Sequence, residues 1–274
     1  MYKYFLILFF VFSFVCEANN DFLKQYDPEL PYTYKGSLLN YKNMANKVWL
    51  LGVVKKMNNY VKKQPNEICA YKIRNYMMQS IFDLTKSKSE KVKIADIATR
   101  YNVDVLKIFP GNAMFKTWYT LFFTESYLYK DKQSILNKAP VIVKFLSESV
   151  DSNPKCCLTL PAFLLGAFYG KLPAFPTSVG DYNKAVTVLK DAINNTPGSI
   201  INYLQLSEIY YLNGKFNKAL EMLDLAEKIK PITFVEYFDN VAFKDGIPFF
   251  RKEIISRTWT SERNLFEEIK ALKK

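Results

Sequence analysis

The chain has 274 residues, 49% of them apolar, which is enough for one or two domains with a sizeable core. Its formal net charge of +12 comes almost wholly from lysine, arginine standing only at Arg74, Arg100, Arg251, Arg257 and Arg263; nucleic-acid readers favour arginine forks, so no nucleic-acid partner is expected. Histidine is absent, which removes the usual general base near neutral pH, every Ser–His or Cys–His pair, and the ordinary zinc ligand sets.

Met1 to Ala18 reads as a targeting segment. Lys3 gives a positive start, and residues 5–12 form an apolar run too short for a comfortable membrane span. Cys16 closes that run as a lipoprotein cysteine does, and a lipid there would anchor the chain to a membrane. Val15, however, stands where a lipobox wants a small residue. Alternatively, Cys16-Glu17-Ala18 is a cleavage site of small-x-small type and the mature chain starts at Asn19. Plain export is the preferred reading, lipidation at Cys16 its rival and an uncleaved anchor the third. The expected location is the periplasm or cell envelope. Residues 19–37 follow as a tether, since Pro28 and Pro31 discourage helix and Gly36-Ser37 ends the segment.

From Leu38 to Pro110 the pattern is helical. Met44, Val48, Leu51 and Val54 make one apolar face, broken near Pro65. A second helix spans Glu67 to Leu84, with Tyr71, Ile73, Met77, Met78, Ile81 and Phe82 apolar. Thr85 to Glu90 is a polar turn, after which Val92, Ile94, Ile97 and Ala98 mark a third helix. Pro110-Gly111-Asn112 closes this region, with Asn112 placed to cap the next helix. The lysine runs at 55–56, 62–63 and 86–93 read as solvated faces and a loop, with a weak attraction to an anionic membrane surface as the other reading.

Residues 111–274 are expected to form helical repeats with a capping helix at the end. Phe115, Trp118, Tyr119, Phe122 and Phe123 form a helical stripe of the kind that usually builds core. Lys132 to Val150 is its partner, with Ile135, Leu136, Val143, Leu146 and Val150 inward and Pro140 set to kink it or shift its start. Next come two related units. In the second, Tyr203, Leu206, Ser207 and Tyr210 share one helix face, Asn213-Gly214 turns the chain, and Phe216, Ala219, Leu223, Ala226 and Pro231 follow. In the first, Tyr182, Ala185, Leu189, Ala192 and Pro197 each lie 34 residues earlier. Leu165-Gly166 and Tyr169 match Leu206-Ser207 and Tyr210 at an offset of 41, so seven extra residues fall around Lys171 to Thr177.

These positions resemble the tetratricopeptide repeat (TPR), which implies an all-α solenoid of stacked antiparallel helix pairs. Beyond Pro231 an apolar face continues through Phe234, Tyr237, Phe238, Val241 and Phe243. Gly246-Ile247-Pro248 reads as a break, and Ser261 to Lys274 as the terminal cap, with Leu265, Ile269 and Leu272 on one side.

The concave surface of such a stack is made by first-helix positions outside the packing hallmarks. Here these are Leu160, Phe163, Ala167 and Gly170, then Ile201, Leu204, Gln205, Glu208, Tyr211 and Leu212, a largely apolar candidate groove that is either open or covered. The extra loop, carrying Leu172 and Phe175 between prolines, is a candidate contact element or a cover over the core.

No phosphate-binding GxxxxGK[ST], no GxGxxG and no GxSxG occurs, and no spacing pairs Glu125, Glu148, Asp181, Glu208 or Asp224 for hydrolysis. No enzymatic role, cofactor or metal is expected. Cys69, Cys156 and Cys157 read as buried thiols, a bridge from Cys69 being the other reading.

Leu160 to Pro231, with Leu172-Pro173 and Gly180-Asp181-Tyr182, also resembles the periplasmic T-component of tripartite ATP-independent periplasmic (TRAP) transporters. That likeness implies a lipoprotein that binds a small hydrophobic ligand and a solute-binding protein. The repeat reading alone implies an exported, non-catalytic scaffold with a protein partner.

Overall fold

A computed structural model describes residues 47–230, 243, 244 and 246–258. The leader, the tether, Cys16, Met44, the apolar positions 234–241 and the terminal helix expected at 261–274 lie outside the described residues, as do the side chains of Cys69 and Cys157. What is described is all-α: ten helices packed in adjacent pairs, with no strand among these residues. The chain divides into two compact units at Pro110/Gly111.

The first unit holds α1 (Lys47–Lys63), α2 (Ile68–Leu84) and α3 (Lys88–Ile108), with α1 packed on α2 and α2 on α3. All six apolar positions expected in α2 are buried. Of the face expected for α1, Val54 is inward but Val48 and Leu51 are not. Leu50, Val53, Val54, Met57 and Val61 are inward, while Val48 and Leu51 point out, because the longer apolar stripe runs through Leu50, Val54, Met57 and Val61. The turn before α3 is shorter than expected, since Ser87 caps the helix by accepting a hydrogen bond from the Glu90 amide. The face of α3 also turns, to Ala95, Ala98, Asn102 and Val105.

Two polar links hold these helices in register. Asn75 and Asn102 exchange amide hydrogen bonds of 2.9 Å in the core, satisfying both groups there. Arg74, also buried, donates to Asn58 Oδ1 and Tyr101 O at 3.3 Å and lies 4.3 Å from the Tyr101 ring centroid. Burial pulls its pKa down to about 10.

The second unit begins with α4 (Ala113–Lys130) and α5 (Lys132–Ser152). Asn112 caps α4 by accepting from the Phe115 amide at 3.2 Å. Phe115, Trp118 and Phe122 of the aromatic stripe are fully buried core. Pro140 sits inside α5 and faces solvent. A 3-10 turn, Cys156–Thr159, leads into α6 (Leu160–Lys171), followed by α7 (Tyr182–Asn195), α8 (Ile200–Leu212) and α9 (Phe216–Lys228). Cys156 is buried. In sequence each helix packs on the next, and α6 also packs on α8, so equivalent helices of the two related pairs lie side by side.

Small residues set that packing. Ser207 donates to Ala219 O at 2.8 Å across the α8–α9 contact, and a side chain at Gly166 would strike Leu189 at 2.6 Å across α6–α7. Gly214 turns the chain between α8 and α9 at φ +69, a region that suits glycine. At the other end of the pairs, Asn202 donates to Thr159 Oγ1 at 2.7 Å and to Thr196 Oγ1 at 3.2 Å, tying the starts of α6 and α8 to the end of α7. Thr159 adopts φ +64, unusual for a β-branched residue, and this buried knot holds it there.

The expected break at Gly246-Ile247-Pro248 falls between helical residues 243–244 and a new helix, and the same motif starts that helix. Proline in a first turn forfeits no hydrogen bond, and α10 (Ile247–Ser256) runs on from it. It packs on α9, with Ile247 and Ile254 buried, and Arg251 reaches Asp224 at 2.7 Å and Glu227 at 3.0 Å.

Candidate functional site

Loop 172–181 joins α6 to α7, and its closure is a matter of backbone geometry. The Gly180 amide donates to Pro173 O at 2.8 Å and the Asp181 amide to Tyr169 O at 2.8 Å, so both ends of the loop meet at the end of α6. A Cβ at Gly180 would overlap the Leu172 carbonyl and stand 2.7 Å from the Pro173 carbonyl, which leaves glycine as the residue that fits this crossing. Within the loop the Thr177 and Ser178 amides both donate to Ala174 O, at 3.0 and 3.3 Å. Asp181 then caps α7, its carboxylate accepting from the Lys184 amide at 3.0 Å.

The two apolar side chains of this loop part company. Leu172 is 3% exposed and belongs to a cluster with Ile135, Leu136, Ala139, Ile142, Leu146, Leu165 and Phe168. Val179 packs against the same cluster from the far end of the loop. Phe175, at the tip, is 88% exposed. The loop is therefore pinned at both ends by apolar contacts and closed by hydrogen bonds, and it holds one aromatic ring out in water. A free-standing phenylalanine forgoes most of its burial energy, about 1.5–3 kcal/mol.

The candidate groove positions are placed otherwise. Leu160, Ile201, Leu204 and Glu208 are buried, and Gln205 with them; Phe163 and Tyr211 are half-buried, Tyr211 making an edge contact with Phe216 at 5.5 Å between centroids. At the loop end of this face stands a pair that sequence reasoning missed. Lys171 Nζ lies 2.5 Å from Glu208 Oε2, both side chains under 10% exposed, and Gln205 Nε2 donates to the same carboxylate oxygen at 3.1 Å. The seven-residue insertion hid the pairing, because it displaces the end of α6 from the repeat register. The signal that was available is a lysine in the last turn of an otherwise apolar helix.

Chemically, such an arrangement holds shape. A buried ion pair contributes little net stability but penalises any geometry that separates its members, so it fixes the end of α6 against α8. The loop that springs from Lys171 inherits that rigidity. Among the described residues, no group of three or more Cys, Asp or Glu side chains is placed to hold a metal ion, and no helix is long and apolar enough to cross a membrane. Compared with known proteins, the chain matches no family model and no curated protein.

Proposed function

We propose that the chain is an exported, non-catalytic scaffold of tetratricopeptide type that binds a protein partner at the cell envelope through loop 172–181. The observation that carries this reading is Phe175: a ring 88% exposed, on a loop closed by four backbone hydrogen bonds and anchored through Leu172. Fold stability does not require that placement, and the turn between α8 and α9 needs only Asn213-Gly214-Lys215. A rigid aromatic knob docks with little loss of conformational entropy and fills a pocket on its partner, as interface anchors do.

The leader at Met1 to Ala18 supports export, and repeat spacing between Leu160 and Pro231 supports the tetratricopeptide assignment. Under the rival T-component reading, Leu160, Ile201 and Leu204 would line a ligand cavity; all three are buried and so do not themselves form an open groove.

Photo-crosslinking from position 175 in the living cell tests the proposal. A benzoylphenylalanine there should give one dominant protein adduct, and the same probe at exposed Asn183 on α7 should not. Equal or absent adducts at the two positions would overturn it.

A further inference from the structure

The first unit carries most of the excess charge. Residues 47–110 hold thirteen lysines and arginines against five carboxylates, a net +8 of the chain's +12. Lysine dominates, since Arg74 is buried and only Arg100 faces water. Helix α1 alone has five lysines and no carboxylate. Its outward face runs through Val48, Leu51, Gly52, Lys55, Asn59, Lys62 and Lys63, all exposed, with Val48 at 79% and Leu51 at 49%. Lys47 pairs with Glu90 at 3.1 Å and so brings the start of α3 to the start of α1. Exposed Lys86 and Lys88 lie within four residues of Glu90, and Lys55, Lys62 and Lys63 lie further along the helix from Val48 and Leu51.

An exposed apolar spot beside lysines, with Glu90 already paired to Lys47, has a defined complement. We propose that the outward face of α1 rests on an anionic bilayer surface. Leu51 and Val48 enter the boundary between headgroups and acyl chains, and the lysine stems lie along it with their ammonium groups on anionic headgroups. Lys62 and Lys63 also suit a helix C-terminus, but Lys55, Lys86 and Lys88 have no such reason to be there. A nucleic acid would be better served by arginine and gives nothing to the exposed apolar pair. A bilayer takes both.

The test is sedimentation of the full chain with vesicles of phosphatidylcholine, alone or mixed with phosphatidylglycerol, at low and raised salt. Binding should require phosphatidylglycerol and weaken as salt rises. Replacing Lys55, Lys62 and Lys63 together by glutamine should lower it by about tenfold or more, and Leu51→Gln by a smaller factor. Glutamine at Lys138, Lys190 and Lys215, three exposed lysines of the second unit, removes the same charge and should change binding by less than about twofold. Circular dichroism verifies that each variant keeps its helices. Equal loss in the two triple variants, equal binding to phosphatidylcholine alone, or equally tight binding to a DNA duplex at the same salt would each overturn the proposal.

Discussion

Leu172 and Phe175 lie three residues apart in one loop, and replacing each by alanine separates its anchor from its display. Leu172 is 3% exposed among seven other buried side chains. Its truncation removes buried methyl groups and leaves a space that α5 and α6 cannot fully close, at a cost of about 2–5 kcal/mol. With about 3 kcal/mol as the central value, and about 2–4 °C of melting temperature per kcal/mol at this size, the drop is about 6–12 °C. Phe175 keeps 88% of its surface in water, so about one-eighth of a phenylalanine's burial is at stake. That amounts to roughly 0.3 kcal/mol, or under about 1 °C. The assay is thermal unfolding followed by circular dichroism at 222 nm, with urea titration as a check on the free energies. A drop for Phe175→Ala that approaches that of Leu172→Ala would refute the reasoning, because the loop would then be cover for the core and not a platform.

Glu208→Gln leaves the Lys171 ammonium buried without its counter-charge and should cost about 3–5 kcal/mol in urea unfolding. A loss below about 1 kcal/mol would mean that the pair does not fix α6 against α8. A second expectation concerns acid. The Glu148 carboxyl is held below the ordinary glutamate value, first by the hydrogen bond from Lys116, then by the charges of Lys116 and Lys144, with desolvation opposing. A folded value below the unfolded one adds stability that is present above the unfolded pKa and disappears as pH falls through the folded pKa. The stability gap between the wild-type protein and Lys116→Met should therefore be widest above about pH 5 and shrink below the unfolded glutamate value of about 4.3. A gap that stays constant across that range is the contrary result.

The paired helices were legible because their spacing is local arithmetic: Ser207, Ala219 and Ala226 mark buried places with little room, and Gly214 marks a turn at positive φ. The Asn112 cap was legible for the same reason. Other features depend on which of two apolar stripes wins. In α1 the sequence offers both Val48-Leu51 and Leu50-Val54-Met57-Val61, and packing against α2 chose the longer. Leu172 could have been assigned to the core, since it continues the stripe Leu165-Phe168 by one more turn. Phe175 has no such register. The Lys171–Glu208 pair was out of reach because its members are 37 residues apart and meet only once the insertion has folded. Gly246-Ile247-Pro248 was legible as a break but not as a helix start, because glycine and proline end one helix and begin another with the same letters.

Native mass spectrometry of the protein purified gently from its source, beside the same preparation of Phe175→Ala, decides whether Phe175 holds a protein partner. The wild-type chain should form a stoichiometric complex with one protein and the variant should not, with both chains equally helical. A chain that travels alone in both preparations, or that carries a small apolar molecule of constant mass whether or not Phe175 is present, would contradict it.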